Sequence, residues 1–256
     1  MTTAKDNAIA LYMEGIRDGH PREAVAAYTG ARYTQHSTGV ADGQDGFIAV
    51  FEPFLPRNPK RDIKVIRAFQ DGRHVFVQAH QSLNNGEATW ITTDFFDSDD
   101  AGKIVEHWDV IDTDHGINLS GRSQIDGVTD VTDQDRTETN KSVVRDFFQD
   151  ILLDRNLTKA ADYLAADLAQ HAPDMQDGRA AFEQFYGSSD CPLSYQECFL
   201  MVGEGNFVAT LNRARWNEQD LCRVDLFRLE SRLIVEHWVN SEPVPPKEQW
   251  ANSGKF

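Results

Sequence analysis

The amino-acid sequence predicts an α+β fold built from two tandem cone-shaped α+β barrels, each with about three helices packed on a curved antiparallel sheet. Three observations lead to this prediction. Segments of the first half recur in the second half in the same order. Each half opens with helical periodicity, and each half closes with β-type segments separated by turns. Together they indicate two copies of one unit of roughly 110 residues.

The repeat is clearest in two blocks. Residues 28–47 align with residues 163–182 at a shift of 135, and seven of the twenty positions are identical. The five residues Ile-Val-Glu-His-Trp at 104–108 recur unchanged at 234–238, where the shift is 130. The second copy therefore needs only a shorter loop between these blocks.

Helices are predicted at the start of each copy. Apolar residues spaced three and four apart predict an amphipathic first helix, and this apolar stripe occupies matching positions in the two copies. The stripe consists of Ala8, Ile9, Tyr12, Met13 and Ile16 in the first copy and of Val143, Val144, Phe147, Phe148 and Ile151 in the second. A second, short helix is predicted around residues 21–28 and 157–164, and a third around residues 47–51 and 182–186.

Segments rich in β-branched and aromatic residues follow the helices. Asp-Gly and Asn-Gly pairs, which suit hairpin turns, separate several of them, so they should be antiparallel neighbours. The segments are 63–69, 75–83, 89–96 and 104–111 in the first copy, and 194–202, 207–216, 221–229 and 233–239 in the second. A strongly curved sheet closed by helices leaves a pocket inside the cone.

The domain boundaries follow from this pattern. Residues 1–115 form the first domain, which should carry the functional pocket, and residues 139–243 form the second. Residues 116–138 contain many Gly, Asp and Thr residues and few apolar ones, which is typical of a linker. Residues 244–256 are left as a C-terminal tail.

A family resemblance rests on residues near both ends of each copy. Gln35-His36 precedes the turn at Asp42-Gly43, and the last predicted strand of the first copy begins with Ile-Val-Glu-His-Trp-Asp, residues 104–109. With three helices and a meander, this pattern resembles the SnoaL-like polyketide cyclase family of the nuclear transport factor 2-like superfamily. The resemblance covers nearly all of both copies and fails in the linker and the last dozen residues. It implies the cone-shaped fold, on which isomerases, dehydratases, epoxide hydrolases and binding proteins all occur.

The candidate catalytic residues of the first copy are Asp109, His36, His80 and His107. His107 and Asp109 alternate on one strand and so share a face. In SnoaL-like cyclases an aspartate of the final strand is the acid/base, so the resemblance points to Asp109. His36 either acts as a base near neutral pH or holds its loop by bonding a backbone carbonyl. Dehydratases of the superfamily carry a histidine on a central strand, which points to His80.

The candidate substrate-binding residues are Gln35, Tyr33, Trp90, Asp94 and Trp108. Asp94 shares a face with Trp90, and a His80–Asp94 pair across strands is one arrangement that sequence alone cannot register. Trp108 lies on the opposite face of its strand from Asp109, which favours packing over ligand contact. The second-copy equivalents are Gln170, His171 and His237. Val239 replaces Asp109 there, so the second pocket is predicted to be degenerate.

Composition and absent motifs exclude several functions. A formal charge of −16 disfavours nucleic acid and anionic membrane surfaces as partners. The sequence contains no HExxH or CxxC pattern, no GxGxxG motif after a strand and no apolar run long enough to span a membrane, so we expect no metal, no cofactor and no membrane contact. We interpret the three cysteines as reduced thiols. The N-terminus lacks a signal-peptide pattern, and both features favour a cytoplasmic protein.

Three hypotheses about function remain open. The first is a cofactor-independent lyase or isomerase that removes a proton beside a carbonyl of a small-molecule substrate, as an aldol-type cyclase, dehydratase or double-bond isomerase would. The second is a non-catalytic small-molecule-binding or assembly protein whose two copies form an intramolecular pseudo-dimer, with further homo-oligomerisation left open. The third is an epoxide hydrolase, although Arg67 and Arg73 form no clear triad with acids.

Overall fold

The computed structural model describes residues 3–256, so Met1 and Thr2, on which part of the N-terminal interpretation rests, lie outside the described residues. The chain divides into two compact units. Unit 1 consists of residues Met1–Thr113 together with Pro245–Phe256, and unit 2 consists of Asp114–Val244. Each unit contains one copy of the repeat. Residues 116–138, which were predicted to be a linker, belong to unit 2, and residues 245–256 of the predicted tail belong to unit 1.

Unit 1 starts with helices, as the periodicity predicts. Its elements are α1 (Ala4–Tyr12), α2 (Pro21–Tyr28), β1 (Thr29–Gln35), α3 (Gly43–Arg57), β2 (Arg61–Asp71), β3 (His74–Leu83), β4 (Ala88–Ser98) and β5 (Ile104–Thr113). A capping box begins α1, because the Thr3 hydroxyl accepts from the Asp6 amide while the Asp6 carboxylate accepts from the Thr3 amide. A π-helical turn, Met13–Arg17, continues α1, and Pro21 occupies the first turn of α2.

The sheet of unit 1 has the strand order β1-β5-β4-β3-β2. The four strands β2 to β5 form the predicted antiparallel meander. Strand β1 was not predicted, and it pairs with β5 in parallel, with Gln35 opposite His107. Its sequence, Thr-Gly-Ala-Arg-Tyr-Thr-Gln, lacks a clear alternation of apolar and polar residues, which explains why the sequence pattern did not reveal it.

Unit 2 repeats the architecture of unit 1. Its elements are α4 (Thr137–Phe147), α5 (Ala160–Tyr163), β6 (Leu164–Gln170), α6 (Arg179–Gly187), β7 (Leu193–Glu204), β8 (Phe207–Trp216), β9 (Gln219–Glu230) and β10 (Leu233–Pro243). A π-helical turn, Phe148–Leu153, continues α4 as its counterpart continues α1. The strand order is β6-β10-β9-β8-β7, again with the first strand parallel to the last. The protein therefore consists of two tandem α+β units of the same topology.

The concave face of each sheet holds the core beneath the helices. In unit 1, Val75, Val77 and Phe96 on this face pack in one hydrophobic cluster with residues of all three helices, such as Leu11 and Phe47. Side chains alternate along a strand, and Val77 is paired with Asp94. Asp94 therefore shares the concave face with the core residues, and this face positions the site described below.

The Gln-His segment after β1 is fixed in the same way in both units. The backbone amide of Gln35 donates to the Asp42 carboxylate at 2.8 Å, and the amide of Gln170 donates to the Asp177 carboxylate at 2.9 Å. Gly43, which follows Asp42, has a positive φ of 84° that favours glycine. The spacing between Gln-His and Asp-Gly is the same in the two copies, so the same turn forms in both units. Within residues 3–256, no helix is long and apolar enough to cross a membrane.

Candidate active site

A cavity of about 230 Å³ lies inside unit 1, between the helices and the concave face of the sheet. Aromatic and aliphatic side chains form much of its wall, among them Phe47, Phe51 and Trp90. The polar side chains that line it are Tyr12, Tyr33, Gln35, Ser37, Gln81, Thr92, Asp94, His107 and Asp109. An apolar pocket with a few converging polar groups is the usual form of a small-molecule site.

Two carboxyl groups face each other in this cavity. Asp94 on β4 and Asp109 on β5 are directly opposite partners in the antiparallel ladder. Side chains of opposite partners project from the same face of a sheet, so both acids reach the cavity. Both are almost fully buried, with exposed fractions of 3% and 6%.

A chain of hydrogen bonds holds Asp94 in place. Nε2 of His107 lies 2.9 Å from Oδ1 of Asp94, and Nδ1 of His107 lies 2.9 Å from the Gln35 side-chain amide. The imidazole also stacks on the Phe96 ring at a centroid distance of 4.7 Å. Oδ2 of Asp94 is buried and has no hydrogen-bond partner among the described residues. A bound ligand would therefore be the natural partner of this oxygen.

The environments of the two acids move their pKa values in opposite directions. Burial raises the pKa of Asp94, and the hydrogen bond and charge of His107 offset only part of that effect. Burial would also raise the pKa of Asp109, but the ammonium of Lys255 and then His107 outweigh it and lower that pKa. Asp94 is thus poised to bind a proton, whereas Asp109 keeps its negative charge.

Lys255 reaches Asp109 from the C-terminal segment of unit 1. Its Nζ lies 2.7 Å from Oδ1 of Asp109, and its side chain is only 2% exposed. Ser37, in the loop after β1, lines the same cavity, and its side chain also lowers the pKa of Asp109. The buried carboxylate is therefore neutralised by a buried cation, as charges removed from water require.

A phenol lies among polar partners in the same cavity. Gln81 donates from Nε2 to the Tyr12 hydroxyl at 2.5 Å, and the Tyr12 hydroxyl lies 2.6 Å from Oγ1 of Thr92. Burial, with the negative charge of Asp94, raises the pKa of Tyr12 well above its usual value. The Tyr12 hydroxyl therefore stays protonated and can donate a hydrogen bond to an oxygen atom in the cavity.

His36 is not part of the cavity wall. Its Nδ1 lies 2.7 Å from the Gly254 carbonyl oxygen, its Nε2 lies 2.9 Å from the Glu106 carboxylate, and its ring stacks on Trp108 at 4.7 Å. Burial disfavours the Glu106 carboxylate, but hydrogen bonds from His36 and Arg32 prevail and lower the pKa of Glu106. Of the two alternatives for His36, the structure favours a ring that holds its loop through a backbone carbonyl.

His80 and Trp108 also lie away from the cavity. His80 directly precedes Gln81, which lines the cavity, and side chains alternate along a strand, so His80 projects from the opposite face of the sheet. The predicted cross-strand pair of His80 with Asp94 is wrong, because His107 occupies that place. Trp108 stacks on His36 instead of lining the cavity. The other expected residues, Tyr33, Gln35, Trp90, Asp94, His107 and Asp109, all line it.

The equivalent region of unit 2 keeps the histidine and one acid. Nε2 of His237 lies 2.9 Å from Asp225, and Gln170 contacts the other nitrogen of that ring. Here Arg223 enters the interior, where it bonds the Tyr195 hydroxyl at 2.7 Å and lies 3.4 Å from Asp225. Burial would raise the pKa of Asp225, but Arg223 and then His237 lower it. The acid of unit 2 is thus held by fixed protein partners.

His171 repeats the contacts of His36. Its Nδ1 lies 2.7 Å from the Ser123 carbonyl oxygen, its Nε2 lies 2.9 Å from Glu236, and its ring stacks on Trp238. Because both units share this arrangement, it belongs to the scaffold. Within residues 3–256, no group of three or more His, Cys, Asp or Glu side chains is arranged to hold a metal ion.

Lys255, Ser37, Tyr12 and Gln81 were missed by the sequence reasoning. Tyr12 was assigned to the apolar stripe of α1, and Gln81 has no counterpart in unit 2 that would mark it, since Ala214 takes its place. Lys255 lies in a segment without periodicity.

The fold and cavity define a class of protein, namely a tandem pair of α+β units of which the first encloses a pocket of small-molecule size. Residues 9–107 match the model of the SnoaL-like domain. The matched residues lie within unit 1, and the match agrees with the resemblance seen in the sequence. No curated protein matches the chain in sequence.

Solved structures resemble single units of the chain. A provisionally named polyketide cyclase from Bacillus cereus ATCC 10987 is 17% identical, with 43% of this chain and 74% of that chain covered and a TM-score of 0.38. A provisionally named ketosteroid isomerase from Kribbella flavida DSM 17836 is 20% identical, with 44% and 87% covered and a TM-score of 0.38. An NTF2-like protein of unknown function from Cytophaga hutchinsonii ATCC 33406 is 19% identical, with 45% and 95% covered and a TM-score of 0.37.

Proposed function

We propose that unit 1 is a cofactor-independent lyase or isomerase that moves a proton beside the carbonyl group of a small, largely apolar substrate. The observation that carries this proposal is the pair Asp94 and Asp109, which share one cavity while their pKa values are displaced in opposite directions. Two carboxyl groups in contrasting environments are the usual basis of an acid/base division of labour.

Asp94 is the proton carrier in this proposal. Its ionised form takes a proton from the carbon next to the carbonyl, and its protonated form returns that proton to another atom of the substrate. A raised pKa brings a carboxyl closer to the working pH, where a general base is most effective. His107 fixes the orientation of Asp94 through Oδ1 and leaves Oδ2 for the substrate.

Tyr12 supports the oxygen that becomes an enolate. As the proton leaves carbon, negative charge develops on the carbonyl oxygen, and a phenol that keeps its own proton stabilises that charge by a hydrogen bond. Gln81 donates to the Tyr12 oxygen, so the hydroxyl hydrogen is available to Thr92 or to a ligand. Lys255 stabilises the negative charge of Asp109, and this charge helps to raise the pKa of Asp94 on the neighbouring strand.

The cavity volume bounds the substrate. At about 230 Å³, the cavity is smaller than the 300 to 1,000 Å³ typical of sites for drug-sized molecules. The aromatic wall favours a compact apolar body with one or two oxygen atoms. Aldol-type ring closure, dehydration and double-bond migration all share the proton abstraction that this site can perform.

The test is carbon–hydrogen exchange and turnover on a panel of small carbonyl compounds. The panel includes a cyclic 1,3-diketone, a β-hydroxy ketone and a β,γ-unsaturated ketone, and deuterium incorporation from D₂O is followed by NMR. We expect the wild-type protein to accelerate exchange of at least one compound, and Asp94→Asn to lower kcat about 100-fold or more, the range of general acid/base catalysis.

Two control variants accompany this test. His80→Asn changes a histidine on the opposite face of the same sheet, so it should leave exchange unchanged. Asp225→Asn changes the equivalent carboxyl of unit 2, so exchange by folded protein should also persist. Full activity of Asp94→Asn, or no exchange of any panel compound by the wild type, would contradict the proposal.

A second candidate function is small-molecule binding without catalysis. The Asp109–Lys255 contact favours it, because a carboxylate that is already paired needs no substrate to satisfy it. Binding of panel compounds without exchange would support this alternative. An epoxide hydrolase is less well supported, because Arg67 bonds Gln78 and Arg73 bonds Asp97, and the described cavity wall contains no arginine.

A further inference from the structure

Residues 250–256 of unit 1 dock beside the cavity through a defined set of contacts. The Asn252 side-chain amide donates to the carbonyl oxygens of Ser37 and Val40 at 2.6 and 2.9 Å. The carbonyl of Gly254 accepts from Nδ1 of His36, and the next residue, Lys255, reaches Asp109. The backbone amide of Ala251 also donates to the Thr38 carbonyl oxygen at 2.8 Å, so side-chain contacts and one backbone hydrogen bond fix this C-terminal segment.

Residues 118–124, near the start of unit 2, dock within that unit in a similar manner. The Asn118 amide donates to the carbonyl oxygens of Ala172 and Met175, which correspond to Ser37 and Val40 at a shift of 135. The Ser123 carbonyl meets Nδ1 of His171 at 2.7 Å, as the Gly254 carbonyl meets His36. The repeat thus includes a docking segment that the sequence comparison did not recognise.

The two docked segments differ in the residue that follows the docked carbonyl. In unit 2 this residue is Gln124, whose side chain lies 3.3 Å from the Val239 backbone carbonyl. Val239 stands where unit 1 has Asp109. The docked segment of unit 2 is held in part by an ion pair between Arg122 and Asp177, but it has no cation directly after the docked carbonyl. Docking alone therefore does not require a cation at the position of Lys255. The cation and the acid occur together in unit 1 and are absent together from the equivalent positions in unit 2.

We propose that Lys255 is a positioning residue of the unit 1 site, which keeps Asp109 ionised and directed at the cavity, so that the site is complete only when the C-terminal segment is docked. This inference rests on the proton-transfer function proposed above. It assigns part of the site to residues that follow the whole of unit 2 in the chain.

The physical argument concerns the balance between the two acids. Without a cation nearby, a buried carboxylate binds a proton instead of remaining charged. A neutral Asp109 no longer repels negative charge on Asp94, so the contrast between the acids diminishes. Lys255 would thus act on the proton carrier through Asp109, without touching the substrate. The titratable groups that influence Asp109 or sense its charge are Lys255, His107, Asp94, Tyr12 and Tyr33.

The first test separates chemistry from binding. Lys255→Met in the full chain should lower kcat at least about tenfold while KM changes less than about threefold, and Lys255→Arg should retain most of kcat. Ethylammonium added to Lys255→Ala should restore part of the lost turnover, because it supplies the missing cation. Gln124→Met is the matched control in unit 2 and should leave kcat unchanged. A kcat for Lys255→Met equal to that of the wild type would overturn the proposal.

The second test needs no substrate. With aspartate labelled by ¹³C at the carboxyl carbon, the Asp109 signal should report an ionised group in the wild type down to acidic pH. In Lys255→Met it should titrate at clearly higher pH, and identical titrations in the two proteins would overturn the proposal. If the wild type lacks activity on every panel compound while the titrations differ, the proposed function fails and Lys255 still controls the charge of Asp109.

Discussion

Replacement of Lys255 by Met should destabilise unit 1 by an amount that depends on pH. Met keeps an unbranched apolar stem and removes the ammonium, so the change isolates the charge. At 2.7 Å and an effective dielectric constant of about 20, the ammonium and the Asp109 carboxylate attract each other by roughly 6 kcal/mol. Desolvation of two buried ions cancels most of this attraction, so the intact pair contributes little net stability.

Loss of only one partner lowers the free energy of unfolding, because the other charge then remains buried without a counter-ion. Removal of one member of a buried pair usually costs about 3 to 5 kcal/mol. Protonation of Asp109 sets an upper limit on this cost. From an ordinary pKa of 3.8, protonation at pH 7 costs about 4 kcal/mol, since each pH unit is worth about 1.4 kcal/mol. At pH 4.5 the same limit is about 1 kcal/mol.

The expected pH dependence of this stability difference agrees with the direction of the pKa shift of Asp109. In the wild type the pKa of Asp109 is lowered, so its contribution to stability is present above about pH 4 and is lost as pH falls through the folded-state pKa. The difference between wild type and Lys255→Met should therefore be about 3 to 4 kcal/mol at pH 7 and about 1 kcal/mol or less at pH 4.5.

Hydrogen exchange with mass spectrometry in a urea series measures this difference for each unit separately. Peptides from residues 90–112 report unit 1, and peptides from residues 221–243 report unit 2 as an internal reference. The double variant Asp109→Asn/Lys255→Met should regain most of the lost stability. An equal loss at pH 7 and pH 4.5, or no recovery in the double variant, would show that packing and not charge explains the effect.

Three further outcomes follow from the buried charges. Because burial raises the pKa of Asp94, the wild type should lose stability as the pH rises through that pKa. At pH 9 the urea midpoint of Asp94→Asn should therefore equal or exceed that of the wild type. Arg223→Met should lower the free energy of unfolding of unit 2 by about 3 to 5 kcal/mol, and Arg223→Met/Asp225→Asn should recover most of it in the same exchange measurement. Glu236→Gln should cost about 1 to 3 kcal/mol at pH 7 in thermal unfolding. Its cost should vanish in acid, because the pKa of Glu236 is lowered in the folded state.

The fold could be predicted from the sequence because its signals are periodic and occur twice. Helical spacing and turn pairs located α1 and the four meander strands to within a few residues. Strand β1 escaped because it is short and pairs in parallel with β5, far along the chain, so neither a hairpin turn nor an alternation marks it.

The site could be predicted only in part, for a geometrical reason. Alternation along a strand shows which residues share a face, but it does not show which face is concave. This rule grouped Trp90 with Asp94 and His107 with Asp109 correctly, whereas His80 was placed on a face that turns away from the cavity. Repetition was also informative, since His36 recurs as His171 with the same structural contacts.

The contact between Lys255 and Asp109 also bears on the order in which the chain folds. The two residues are 146 positions apart, and unit 2 is formed by the chain between them. Closure of a longer flexible loop costs more entropy, by about 0.6 kcal/mol for each doubling of its length. Once unit 2 has folded, that intervening chain is no longer flexible, so docking becomes less costly. We therefore expect both cores to form first, and residues 250–256 to dock and bring the buried cation to Asp109 afterwards.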